Sequence, residues 1–260
     1  MSNEKEVILE TFSEHKEKLE SCQNELQTWT DSLMELSEIK KAFAADKLHG
    51  KTILDIGTDC IKPLYLALKY EPDKIIGINE DFSYSYTADI LQNSKLLVKT
   101  EIGFYDCSCF NNAKLEEILS QEKLTIFDFV LLSKTLHHLR TGNCIAKKRD
   151  PEHICQEDEE YCINRFEEKE IFKLLLGLGK RLIVYEWFDS GEPDIDKVRG
   201  RGGYFTLKEW ERIFGHLAEN YRVELVQPSR DSIDKEEVEN VITHLRRVDC
   251  ICFYVEMKEN

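Results

Sequence analysis

The chain has 260 residues, a formal net charge of -15, 42% apolar residues and 33% charged ones. That length carries one domain with a real core plus an extension, and the apolar share is ordinary for a globular protein. So acidic a balance argues against a generic polyanion binder, because nucleic-acid affinity rests largely on Lys and Arg meeting phosphates. No apolar run approaches the roughly eighteen residues of a membrane span. The N-terminus lacks a signal-peptide pattern, so a cytoplasmic protein with no membrane partner is expected. The nine cysteines are odd in number. In a reducing compartment they read as thiols, many of them buried, and not as a disulfide framework.

Residues 1–48 contain neither Pro nor Gly. Leu19, Cys22, Leu26, Trp29, Leu33 and Leu36 recur at alternating steps of three and four. That is one stripe of a long amphipathic helix. It reads as an N-terminal helical extension, packed on its own domain or pairing two copies through a short coiled-coil seam, so monomer and homodimer both stay open. A domain over 49–260 follows.

Thr52 to Leu68 reads as a strand, a tight turn and a helix. Ile53, Leu54 and Ile56 form the apolar run of a parallel strand covered on both faces. Asp55 falls near its carboxyl end. Gly57 at the turn permits a backbone conformation closed to other residues and a close approach by a ligand. Pro63 suits the first turn of the helix. A strand end, a glycine turn and a helix N-terminus suit a ligand carrying an anionic group.

The second strand is read over Lys74–Ile78, ending at Asn79, Glu80 and Asp81. An acid at such a strand end can accept hydrogen bonds from ribose hydroxyls. A helix is expected over Phe82–Val98, a third strand over Val98–Tyr105 leading to Asp106 and Cys107, and a helix around Leu115–Leu119. The fourth strand is the clearest, Phe127-Asp128-Phe129-Val130-Leu131-Leu132, followed by Ser133-Lys134-Thr135-Leu136-His137-His138-Leu139. Two strand–helix units separate it from Asp55, the spacing of a Rossmann-like sheet.

Residues 141–163 read as an insertion or lid. They contain Cys144, His153, Cys155 and Cys162, with His137 and His138 just upstream, but the spacing matches no standard zinc site, so no metal is expected. A helix over Glu167–Lys180, closed by Gly177 and Gly179, leads to a fifth strand over Arg181–Phe188 that carries Glu186. The loop Asp189–Gly203 alternates Arg199 and Arg201 with glycines, either an anion clamp or a solvated loop. Thr206 and Glu209 make a capping box for a helix to about Leu217. Tyr221–Val226 and Asp249–Met257 read as the last strands, paired antiparallel, with a charged helix between Ser229 and His244.

Two of these stretches together resemble the class I S-adenosylmethionine-dependent methyltransferases. Their first motif is an acidic residue followed by glycines at alternate positions. Here Asp55 and Gly57 match it, while Asp59 and Ile61 stand where the later glycines would be. The run Phe127–Leu132 with Ser133 and Leu136-His137-His138-Leu139 resembles the family's fourth motif closely. The resemblance covers about Lys51 to Lys258. It implies an α/β fold, a doubly wound and mostly parallel seven-stranded sheet with an antiparallel last strand, and S-adenosyl-L-methionine as cofactor.

The implied cofactor crevice comprises Asp55, Gly57, Thr58, Asn79, Glu80, Asp106, Cys107 and Ser133. In it Asp106 meets the adenine amino group and the backbone of Cys107 a ring nitrogen. Asn79 or Glu80 meets the ribose. His137, His138 and Glu186 are candidate bases, and Arg199 and Arg201 candidate acceptor ligands. The N-terminal helices would help enclose the substrate. The absence of an Asn/Asp-Pro-Pro-aromatic run after the fourth strand disfavours the nucleic-acid amino-methylating branch. Three readings remain: methyl transfer to a small-molecule or protein acceptor, a degenerate relative acting as a binding or regulatory subunit, and an RNA methyltransferase using Arg199, Arg201, Lys147, Lys148 and Arg149.

Overall fold

The computed structural model describes residues 47–58, 61–79, 99–136, 168–187, 207–225, 232–233 and 250–258. The expected helices over 1–48, Phe82–Val98 and Ser229–His244, the 141–163 insertion, and Thr206 and Phe188 lie wholly or almost wholly outside them. The chain divides into two compact units, Met1–Leu131 and Leu132–Asn260.

The first unit holds β1 (Thr52–Ile56), α1 (Ile61–Tyr70), β2 (Lys74–Asn79), β3 (Glu101–Asp106), α2 (Asn112–Gln121) and most of β4 (Phe127–Ser133). Its hydrogen-bonded strand order is β3-β2-β1-β4. β1 pairs β2 and β2 pairs β3 in parallel, with Asp55 opposite Gly77, Gly77 opposite Phe104 and Asn79 opposite Asp106. Ile53, Leu54, Ile75, Ile76 and Ile78 are buried on both sheet faces, which is why these strands read as short apolar runs, interrupted only by Asp55 and Gly77. α1 is buried nearly all round, Leu64, Tyr65, Leu66, Ala67 and Tyr70 included, and Pro63 sits in its first turn as expected.

The starts of β1 and β4 are latched by a reciprocal pair. The N–H and hydroxyl of Thr52 donate to Asp128 Oδ2 at 3.1 and 3.2 Å, and the Asp128 N–H donates to Thr52 Oγ1 at 3.0 Å. β3 begins at Glu101 and not at Val98. Lys74, at the start of β2, pairs with Glu101 at 2.8 Å and with Glu122 at 2.6 Å, and Tyr105 donates its hydroxyl proton to Glu122. Burial and the neighbouring carboxylate push the Tyr105 phenol up to about 12.

α2 is longer than its short apolar stretch indicated, because both ends are capped. Asn111 Oδ1 accepts the Lys114 N–H at 3.1 Å. At the other end Lys123 N–H donates to Ser120 O at 3.2 Å and Leu124 N–H to Leu119 O at 2.8 Å. This is the Schellman arrangement, with Lys123 left-handed at φ 57°. Glu71, at φ 47°, ends α1 in the simpler single-bond form, its N–H donating to Ala67 O at 3.3 Å.

β4 carries on into the second unit, where the order continues β5-β8-β6-β7. These are β5 (Gly179–Trp187), β6 (Tyr221–Leu225), β7 (Ser232–Ile233) and β8 (Cys250–Met257), with α3 (Glu168–Leu178) and α4 (Leu207–Asn220). β8 runs antiparallel to both β5 and β6. The expected seven-stranded, mostly parallel sheet with an antiparallel last strand is present. Two-residue β7, pairing Val223 with Ile233, adds an eighth strand where a helix was expected. α3 does not extend to Lys180: Gly177 lies inside it, and Gly179 already opens β5.

Phe253 of β8 collects the helices on this unit's sheet. Its ring centroid lies 6.2 Å from Phe172 of α3, and 5.5 and 5.3 Å from Trp210 and Phe214 of α4. The alternate β8 position Glu256 stands opposite Arg181 on β5 and Arg222 on β6. Its carboxylate accepts from Arg181 Nε at 3.1 Å, Arg222 at 2.9 Å and the Tyr254 hydroxyl at 2.5 Å. Burial works against the charge, but Tyr254 and the two guanidiniums outweigh it and hold Glu256 below the ordinary 4.5. No helix among the described residues is long and apolar enough to cross a membrane.

Lys123→Gly is expected to raise stability by about 1 kcal/mol, because glycine takes the left-handed C′ conformation without strain. The urea midpoint measures it. A carboxyl lowered in the folded state adds stability above its unfolded value and loses it as pH falls through the folded one. Glu256→Gln should therefore lower the midpoint at pH 7, and its gap from the wild type should close as pH drops below 4.5.

Candidate functional site

β1, β2 and β3 all deliver a polar residue to their carboxyl ends, Asp55, Asn79 and Asp106. Three connections knit those ends together. Gly57 turns the chain out of β1 at φ 70°, a conformation that favours glycine. The N–H groups of Gly57 and Thr58 both donate to the Ile78 carbonyl, at 2.8 and 3.2 Å. The Asn79 side-chain amide donates to Thr58 O at 3.0 Å, and the Cys107 N–H donates to Asn79 O at 3.1 Å. The turn after β1, the end of β2 and the end of β3 thus hold one another in place.

Gly77 sets the packing beneath this edge. A Cβ there would lie 2.7 and 2.9 Å from the Phe104 ring and 2.8 Å from the Thr58 methyl. Glycine therefore admits the ring and the methyl across β2, beside the fully buried Asp55 in the neighbouring strand. Asp106 is exposed and Cys107 and Cys109 are buried. The edge carries carboxylates, which suit a ligand presenting N–H, O–H or cationic groups. The Cys107 N–H, expected to face a ligand, is donated to β2, and its thiol donates to Ser108 O at 3.2 Å.

In the second unit, Ser133 closes β4 and Glu186 lies near the end of β5, both buried. The chain bends directly after Ser133. The Lys134 N–H donates to Tyr185 O at 2.7 Å, and Thr135 Oγ1 donates to Ser133 O at 3.0 Å. Glu186, near the carboxyl end of its strand, is fully buried. Glu80, His137, His138, Arg199, Arg201 and Asp59 lie outside the described residues.

Three features escaped the sequence reading. The bracing role of Asn79 depends on which strand its side chain meets. Lys62, only 3% exposed in the first turn of α1, stands between Ile61 and Pro63 and carries no local signal of burial. Gly77 did carry a signal, since an isolated glycine inside a strand marks a close approach. Gly77→Ala should destabilise the fold by about 1–3 kcal/mol, read as a lower urea midpoint, because ring and methyl must both move.

No protein-family model matches the chain, and no curated protein sequence matches it. Solved structures do. The plantazolicin methyltransferase BpumL, in complex with SAH, is similar at a TM-score of 0.52 and 14% identity over 99% of this chain and 98% of that one. A geranyl diphosphate C-methyltransferase from Streptomyces coelicolor A3(2) has a TM-score of 0.48 and 8% identity over 88% of this chain and 79% of that one. A SAM dependent methyltransferase from Aquifex aeolicus has 0.44 and 15% over 85% and 89%. The likeness to BpumL is one of fold: this chain has the class I S-adenosylmethionine-dependent methyltransferase fold.

Proposed function

We propose that this protein is an S-adenosylmethionine-dependent methyltransferase acting on a small-molecule or protein acceptor. The observation that supports it is the braced carboxyl edge of β1, β2 and β3, with Asp55 and Asp106 at two strand ends and Gly57 left-handed between them. These residues fit the cofactor, whose adenine amino group, ribose hydroxyls, ammonium and sulfonium all call for electron-rich partners. Asp106 takes the adenine amino group. Glu80 takes the ribose, since the amide of its neighbour Asn79 is donated to Thr58 O. Asp55 provides a buried negative charge for the cationic end.

When bound, the cofactor supplies an electrophilic methyl group, so the protein's task is orientation and exclusion of water. An acceptor that attacks through a hydroxyl or a protonated amine needs its proton removed. Glu186, His137 and His138 remain the candidates for that step, and Arg199 and Arg201 for holding the acceptor.

A second reading, a relative that has lost the cofactor and serves as a binding or regulatory subunit, draws on one observation. The N–H groups of Gly57 and Thr58 are both donated to Ile78 O, and the glycines that would extend the turn are Asp59 and Ile61. Calorimetry with S-adenosylhomocysteine separates the two. The methyltransferase reading expects a Kd on the order of micromolar, about -8 kcal/mol. It expects Asp106→Ala to weaken binding roughly tenfold, the loss of one hydrogen bond to a charged group. No binding at millimolar ligand rejects that reading in favour of the subunit.

A further inference from the structure

Strand β2 holds Thr58 in three ways. Ile78 O accepts the Thr58 N–H at 3.2 Å, and the Asn79 side-chain amide donates to Thr58 O at 3.0 Å. Gly77, between those two residues, leaves room for the Thr58 methyl, which lies 2.8 Å from where a Cβ would stand. Thr58 is only 1% exposed, so there is no solvent margin into which that methyl can retreat.

The Phe104 ring crosses the same spot, 2.7 and 2.9 Å from the position of a Cβ. The two neighbours differ in how they yield. Phe104 is half-buried and its ring turns about two torsions. The Thr58 methyl is one bond from the Cβ of a β-branched side chain, which is stiff. Gly77 itself is fixed on both sides, opposite Asp55 of β1 and Phe104 of β3. A side chain at 77 therefore displaces the backbone of Thr58, the backbone that carries the paired bonds to Ile78 O and adjoins left-handed Gly57.

We infer that Gly77 is a positioning residue for the cofactor: by admitting the Thr58 methyl it sets how closely the turn after β1 lies on the sheet, and through that turn the affinity for S-adenosylmethionine. This deepens the methyltransferase reading and rests on it for the identity of the ligand.

The test reads the turn by amide hydrogen exchange in the unliganded chain and the ligand by calorimetry with S-adenosylhomocysteine, below the melting temperature of every variant. Gly77→Ala is expected to speed exchange at the Gly57 and Thr58 amides roughly tenfold relative to those of α2, and to weaken S-adenosylhomocysteine by a similar factor. General loss of stability moves both sets of amides alike. Gly77→Ala combined with Thr58→Ser, which removes the methyl and keeps the hydroxyl, should recover exchange and affinity to within about threefold of the wild type. Gly77→Ala combined with Phe104→Leu frees the ring instead and should recover neither. The two double variants carry the comparison even where Gly77→Ala alone does not fold. Rescue by Phe104→Leu and not by Thr58→Ser overturns the inference, as does wild-type affinity in Gly77→Ala while the wild type binds. A wild type that fails to bind millimolar S-adenosylhomocysteine removes the methyltransferase reading and the inference with it.

Discussion

The carbonyl of Ile78 accepts hydrogen bonds from the amides of both Gly57 and Thr58, and the rest of the first unit's upper edge follows from that pair. It requires the chain to reverse its handedness at Gly57 as it leaves β1. It brings Thr58 against Gly77, where only the absence of a side chain leaves room for its methyl beside the Phe104 ring. It also presents the Thr58 carbonyl to Asn79, whose own carbonyl holds the Cys107 N–H. Four successive choices of residue depend on one acceptor. A glycine-rich turn elsewhere leaves its amides facing a ligand, whereas this turn directs two of them into its own sheet.

Packing in the second unit follows a different constraint. β8 lies between β5 and β6 and is antiparallel to both, so each of its residues must satisfy two neighbours. Phe253 does so on the face toward α3 and α4, and Glu256 does so among Arg181, Arg222 and Tyr254. Two cations flank a single carboxylate there, an arrangement in which opposite charges across strands stabilise the pairing.

Much of this architecture was legible in the chain itself. Strands buried on both faces need not alternate, so Ile53–Ile56, Ile75–Ile78 and Phe127–Leu132 announced themselves as mainly apolar runs. Gly57 was legible because a turn between such a strand and a helix has few conformational solutions. What stayed hidden depends on pairing between distant segments. Gly177 and Gly179 looked like the end of a helix, yet the second opens a strand because Leu182–Tyr185 finds partners on β8. The extra strand at Ser232–Ile233 has no local signature, since its two residues pair only because Val223 and Glu224 lie beside them. The candidate site shows the same division. Asp55 and Asp106 could be named from their places in the chain, but the bond from the Lys134 N–H to Tyr185 O joins residues far apart in sequence.

The insertion of β8 between β5 and β6 has a consequence for how the protein is made. β5 and β6 leave the ribosome well before the strand that separates them. Until that strand emerges, each exposes a row of unsatisfied main-chain donors and acceptors, and the aromatic face of α4 has no Phe253 to close on. Assembly of this half of the molecule is consequently governed by contacts distant along the chain, the slow regime of folding. A nascent chain in that interval is a natural client for chaperones and a vulnerable one for edge-to-edge association.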